Sequence, residues 1–261
     1  MRSGPDTNAQ GFRDDKDFSR AALDGSGQRV MILGDSFMAG AGTSREQSVP
    51  ALLNERLGGT HQVFNVAVPG WGIDQMYLAY GRYKDVLKPH VVILAFIDED
   101  VSRVLQAYRN EERLNKPSFT LDDDGKLRQR TARDTTSPLL NGLTKHSCLL
   151  SLMVHEAYLG LEARPIVSTM FSQMARESRE HGRRFVVLRI PRREQSSLSG
   201  RIVWYLRGWQ TAMGDVGAEY LDPLAEMQRV RNWAGELYVE DGHLSEAGSR
   251  LLAAFIHSRV F

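Results

Sequence analysis

The stretch RVMILGDSFMAGAG, residues 29–42, runs apolar through Val30, Met31, Ile32 and Leu33, then stops at Gly34-Asp35-Ser36. Small residues follow: Ala39, Gly40, Ala41 and Gly42. An apolar run of this length reads as a buried strand. A Gly-Asp-Ser triplet at its end admits two readings. One is an ordinary turn out of the strand. The other is a nucleophilic serine presented at the strand's carboxyl end, where open parallel sheets gather their functional groups. Residues elsewhere in the chain must choose between them.

Four more β-rich runs stand out: 61–68 (HQVFNVAV), 90–97 (HVVILAFI), 183–190 (RRFVVLRI) and 218–222 (AEYLD). Helical patterns lie between them, over 48–57, 72–87, 166–182, 198–217 and 245–260. In the first, Val49, Leu52, Leu53 and Leu57 share one face, with Thr43 and Glu46 upstream as a candidate cap. The alternation predicts an α/β fold, a three-layer α/β/α sandwich around a mainly parallel five-stranded sheet. The 261 residues are expected to form a single domain, with 1–28 as an N-terminal extension. Residues 104–165 break the rhythm and are too long for a simple loop. They read as an insertion folded over one edge of the sheet. It contains a hairpin over 117–130 turning at Asp124-Gly125, then a helical stretch over 137–159.

Composition narrows the function. The 33 basic and 32 acidic side chains nearly cancel, so nothing calls for nucleic acid or an anionic membrane as partner. No run approaches the ~20 apolar residues of a membrane span. The polar N-terminus lacks the apolar segment of a secretory signal. The chain as written is therefore expected in the cytoplasm, with export left open should a leader have been removed. The single cysteine, Cys148, forms no internal disulfide and reads as a packed core residue. His61, His90, His146, His155, His181 and His257 show no metal-ligand spacing, so neither metal nor cofactor is expected. The glycine-rich 34–42 stretch lacks the Gly-Lys-Ser/Thr of a phosphate loop.

A serine hydroxyl needs a base, and the base an orienting partner. Near the other end of the chain, YVEDGHLSEAGSRLLAAF (238–255) sets His243 in a loop before a helix, two residues after Asp241 and three after Glu240. A strand-end serine and a histidine with carboxylates at opposite ends of an α/β chain make a pairing far more specific than either element.

With these segments in hand, the sequence resembles the SGNH/GDSL hydrolases, serine esterases and related acyltransferases with a flavodoxin-like sandwich. The resemblance runs from Gly11 to Ala254, apart from the 104–165 insertion. ILGDSFMAG matches the family's first block and implies Ser36 as nucleophile. FNVAVPGWGIDQ resembles the second and implies that Gly70 offers its backbone N–H to an oxyanion. YVEDGHLSEAGSRLLAA matches the last and implies His243 as base. Its orienting acid is Asp241 or Glu240, of which Asp241 is favoured. NAQGFRDDKDFS (8–19) resembles a lead-in found in one bacterial branch. The third block departs. Where the family has Gly-x-Asn-Asp, this chain reads LAFIDEDVSR, and Asp98 or Glu99 replaces the asparagine that donates to the oxyanion. An ionised carboxylate cannot donate. Loss of one such donor costs about a hundred- to a thousandfold in rate.

The function implied is hydrolysis of a carboxylic ester, possible acyl groups including short ones, with a small-molecule or glycan ester as substrate. The same residues would serve an O-acyltransferase, and the altered third block leaves room for a weakened binding module. Trp71, Gly72 and Gln75 either line the site or start the following helix. The basic stretch 189–195 (RIPRREQ) reads as a solvated loop, with an anionic substrate subsite as the alternative.

Overall fold

The structure, a computed structural model, describes residues 6–19, 27–106, 108–109, 114–130, 162–196 and 216–261. The helical expectation over 137–159, that over 198–217 up to residue 215, and Cys148, His146 and His155 lie outside these residues.

Five parallel strands form the central sheet: β1 (Gln28–Gly34), β2 (His61–Ala67), β3 (Val91–Phe96), β4 (Arg184–Arg189) and β5 (Glu219–Leu221). Their order is β2-β1-β3-β4-β5. In register, Ile32 of β1 pairs with Asn65 of β2 and Ile93 of β3. Strand order reverses between β1 and β3, the kind of switch point at whose carboxyl ends open α/β sheets bind their ligands.

The strands read as unbroken apolar runs because both faces are covered. Val30, Ile32, Ile93, Ala95, Val186 and Leu188 point to one side, packing with α2 (Val49–Arg56) and the carboxyl-terminal helix Glu246–Val260. Met31, Leu33, Phe64, Val92, Leu94 and Val187 point to the other, under α3 (Ile73–Leu87) and the helix Arg164–Glu180. Each fully buried side chain of this size contributes roughly 1.5–3 kcal/mol of transfer free energy. The expected three-layer α/β sandwich is therefore present, with a wholly parallel five-stranded sheet.

Local detail differs in places. Thr43 and Glu46 do not cap α2. Its N-cap is Ser48, with Pro50 in the first turn. Thr43 Oγ1 instead bonds the Gly40 carbonyl, because a separate turn of 3-10 helix (Arg45–Gln47) intervenes. A short helix, α4 (Asp98–Arg103), follows β3 where no helix was expected. Within the 104–165 segment, Ser118–Leu121 and Leu127–Arg130 form the expected hairpin, with Gly125 at φ 72° in its turn. Phe119 packs edge-on to Tyr77, and Lys116 forms a buried pair with Asp74 of α3. Residues 6–19 join the core too: Phe12 and Phe18 are buried against Tyr83 and each other.

Candidate active site

Each strand delivers its next residues to one edge of the sheet. After β1, Asp35 is the N-cap of a single turn of helix, α1 (Ser36–Ala39), its Oδ1 accepting from the Phe37 amide at 3.0 Å. Capping satisfies an otherwise orphaned donor and fixes Ser36 as the first helical residue. After β2, Val68-Pro69-Gly70-Trp71 closes a turn through the Trp71 N–H to the Val68 carbonyl. Gly70 has φ 79°, the third position of a type II turn, where a side chain would be strained. Gly72 then caps α3, and Gln75 Oε1 accepts the Gly72 N–H at 3.2 Å. Gly72 and Gln75 therefore start the helix.

The histidine comes from far along the chain. Tyr238 and Leu244 bridge across a tight loop, with Gly242 at φ 87°. Just beyond, Ser245 caps the last helix by accepting from the Gly248 amide. His243 is thus held on a short hairpin rather than a free loop. Its Nε2 lies 2.9 Å from Ser36 Oγ. The ring leans on Phe37, 5.2 Å between centroids. Asp241 Oδ1 lies 3.1 Å from Nδ1 but off the line of a ring N–H bond; the same oxygen accepts the His243 backbone N–H at 3.0 Å. That amide holds the Asp241 carboxyl below the usual carboxylate range. Glu240 meets the site through its backbone carbonyl, which accepts from Arg193. With a proton on Nδ1, Nε2 is free to accept from the Ser36 hydroxyl, the geometry an activated serine needs.

The three acids after β3 each meet an arginine from a different place. Arg189, fully buried at the end of β4, donates Nε to Asp98 Oδ1 at 3.0 Å and Nη2 to Oδ2 at 3.1 Å. It also reaches Asp222. Arg192 sits 2.7 Å from Glu99 and 3.2 Å from Glu194. Arg103 pairs with Asp100, and its Nη1 also donates to Asp35 Oδ2 at 3.3 Å and the Trp71 carbonyl at 3.0 Å. The expectation of a solvated 189–195 loop fails at Arg189, because two buried carboxylates need its charge. Arg103 thus serves Asp100, one turn back on its own helix, and Asp35, the cap of the Ser36 helix. Burial pushes the Asp35 carboxyl up, and the Asp100 carboxyl further, with Asp35's own charge adding to the second.

Two hollows open elsewhere. One, about 350 Å³, lies between Phe12, Trp71, Leu78 and Tyr83; the other, about 250 Å³, lies between Arg13, Lys16, Asn54 and Asn65. Among the described residues no group of metal-ligating side chains assembles, and no helix is long and apolar enough to cross a membrane.

A family model described as GDSL-like lipase/acylhydrolase matches residues 32–251, most of the chain, from within β1 through β5. The chain belongs to this family. The GDSL proteins are serine esterases, and ester hydrolysis is the chemistry the family assigns to this one. Solved GDSL-type structures share the fold at low identity. TesA superposes with a TM-score of 0.54 at 15% identity, covering 89% of this chain and 99% of that one. The acetylxylan esterase Axe2 from Geobacillus stearothermophilus gives 0.54 at 15%, covering 92% and 97%. The acetyl xylan esterase AlAXEase gives 0.53 at 17%, covering 89% and 100%. No curated protein matches the sequence.

Proposed function

We propose that this GDSL esterase cleaves a short-chain carboxylic ester of a small molecule or glycan, with Ser36 as nucleophile, His243 as general base and Asp241 as its orienting acid. The 2.9 Å contact between Ser36 Oγ and His243 Nε2 carries the reading. His243 takes the hydroxyl proton as Ser36 Oγ bonds the ester carbonyl carbon. The backbone N–H groups of Ser36 and Gly70 are assigned to the oxyanion. His243 then protonates the departing alcohol, and the C–O bond breaks. Water, losing a proton to the same nitrogen, releases the acid and restores the serine. Asp241 keeps the imidazole in the required tautomer and balances the imidazolium. No metal or cofactor enters this scheme.

The scheme assigns no oxyanion donor to the segment after β3, since Asp98 is engaged by Arg189. Two donors in place of three imply a modest esterase. The chain is read as one hydrolase domain with 104–165 as an insertion or cap. A cap that excluded water would turn the same residues toward acyl transfer to an alcohol.

The test is labelling with a fluorophosphonate, which phosphonylates an activated serine. The wild type is expected to take one label and Ser36→Ala none. A folded Ser36→Ala protein labelled at the wild-type rate refutes the assignment.

A further inference from the structure

The nucleophile's helix is only one turn long. A helix this short has almost no internal hydrogen bonds, and its terminal carbonyls lack intrahelical partners. What holds its far end comes from outside the region the family model matches, which begins at residue 32. Arg13, in the segment before β1, donates Nη1 to the carbonyls of Gly40 and of Ala39, the latter at 3.2 Å, and Nη2 to the carbonyl of Thr43 at 2.8 Å. One guanidinium thus gathers three carbonyls at the carboxyl end of α1. A cation there satisfies the orphaned acceptors and complements the helix dipole.

The bonds continue to the reacting residues on both sides. Gly40, in the left-handed C-cap conformation, donates its N–H to the Ser36 carbonyl, and Ala41 does the same at 2.9 Å. Gly40 therefore links Arg13 on one side of its peptide to Ser36 on the other. At the loop's far end, Gly42 lies so close to the histidine hairpin that a Cβ there would sit 3.0 Å from Val239 Cγ2 and 3.3 Å from His243 Cβ. The 40–43 loop is the spacer between Ser36 and His243, and Arg13 grips its backbone.

Arg13 is itself immobilised. Asp6 accepts its Nε at 2.6 Å. Its backbone carbonyl accepts from Asn65 Nδ2 at 3.0 Å, and the next residue, Asp14, accepts the Asn65 N–H at 2.6 Å. Asn65 is 2% exposed and its Nδ2 also reaches the Met38 carbonyl at 3.3 Å, inside α1. Phe12 anchors the other side, edge-on to Trp71 and Tyr83. The clamp is thus tied to the sheet through β2.

We propose that Arg13 is a positioning residue for the esterase reaction, holding the Ser36 helix and the 40–43 loop at the spacing that keeps Ser36 Oγ on His243 Nε2; this rests on the reading of Ser36 as nucleophile. Small displacements of reacting groups are costly, about a hundredfold for 1 Å. The experiment compares wild type, Arg13→Ala and Arg13→Lys by fluorophosphonate labelling rate, by kcat and KM on p-nitrophenyl acetate, and by amide hydrogen exchange over residues 36–43. Arg13→Ala is expected to label and turn over about ten- to a hundredfold more slowly, with KM within about twofold, and to exchange faster over 36–43 than elsewhere. Arg13→Lys, a point charge lacking the fork that spans three carbonyls, should fall between. Folded Arg13→Ala that labels as fast as wild type overturns the proposal, as does slower labelling that merely follows the unfolded fraction. If Arg13→Ala does not fold, wild-type labelling by Arg13→Lys overturns it. Wild-type protein that takes no label refutes the Ser36 reading itself, whereas labelled wild type with an equally fast Arg13→Ala refutes the clamp alone.

Discussion

Arg189 holds Asp98 through two parallel hydrogen bonds, at 3.0 and 3.1 Å, with the guanidinium wholly buried and the carboxylate 7% exposed. Asp98 stands where the family's oxyanion asparagine is one of two alignments, so its partner bears directly on rate. Asp98→Asn is expected to give no gain in kcat/KM and to lower stability by about 3 kcal/mol, because a buried guanidinium loses half of its counter-charge. Glu99→Gln, which breaks a half-exposed pair with Arg192, should cost less than about 1 kcal/mol. Esterase assays and thermal melts of both variants check this. A faster Asp98→Asn enzyme with unchanged Tm contradicts it.

Ser36 and His243 share one hydrogen bond, so their losses should not add. Each alanine variant is expected to lower kcat on p-nitrophenyl acetate by ~10⁴-fold or more, and the double variant to be little worse. Multiplicative losses would mean the two act separately.

The pH profile follows from Asp241. Its carboxyl is held low by the His243 amide, so it stays ionised further into the acid range than a free carboxylate. Any stability that charge contributes is present above the unfolded carboxylate value and disappears only as pH falls through the lower folded one. Asp241 should therefore add no step of its own to the acid limb of kcat/KM. Asp241→Asn should reduce the rate on the order of a hundredfold, less than for a buried triad acid, since this side chain is 63% exposed. Glu240→Gln should leave the rate near wild type. A larger loss for Glu240→Gln would exchange their roles.

Asp100 gives the opposite sign. Burial, then the charge of Asp35, raises its folded pKa well above the ordinary value. The folded state then binds the proton more tightly than the unfolded chain. Stability from this group falls as pH rises through the folded value and is recovered on acidification toward the unfolded one. Melts over a descending pH series should show wild type gaining on Asp100→Asn as the pH drops toward the ordinary carboxylate range. A constant gap would show that Arg103 neutralises the carboxylate fully.

Gly72→Ala should be destabilising by roughly 1–3 kcal/mol. Its Cβ would lie 2.8 Å from both Arg103 Cβ and Asp74 Oδ1. Circular dichroism melts measure this, and a neutral result would mean the Arg103 side chain can step aside.

Much of the fold was legible because its signals are local. Val30 to Leu33 and Val91 to Phe96 are apolar without interruption, as strands covered on both faces must be, and the helices over 72–87 and 245–260 lie within a residue of their observed bounds. The α4 helix was not legible: Asp98, Glu99 and Asp100 look like a solvated acidic turn until arginines from β4, the loop after it and α4 itself are brought to them. The burial of Arg189 is equally non-local. Phe12 and Phe18 lie in a polar stretch with no periodicity, and only the tertiary fold supplies their aromatic partners. At the site, motif and spacing pointed to Ser36 and His243. The motif favoured Asp241 but left Glu240 open, since a hairpin with Gly242 at positive φ sets which carboxylate approaches Nδ1.

The arginine-backed acids after β3 also constrain how this sequence can change. Replacing Asp98 by an amide is not a neutral single step, because Arg189 bridges it to Asp222 in a buried ion pair. The intermediate would be less stable, and the benefit to rate would arrive only after Arg189 had been replaced by an uncharged residue of similar bulk and Asp222 relieved of its partner. Such a valley makes residues 98, 189 and 222 an epistatic unit, expected to vary together or stay fixed together among descendants of this chain.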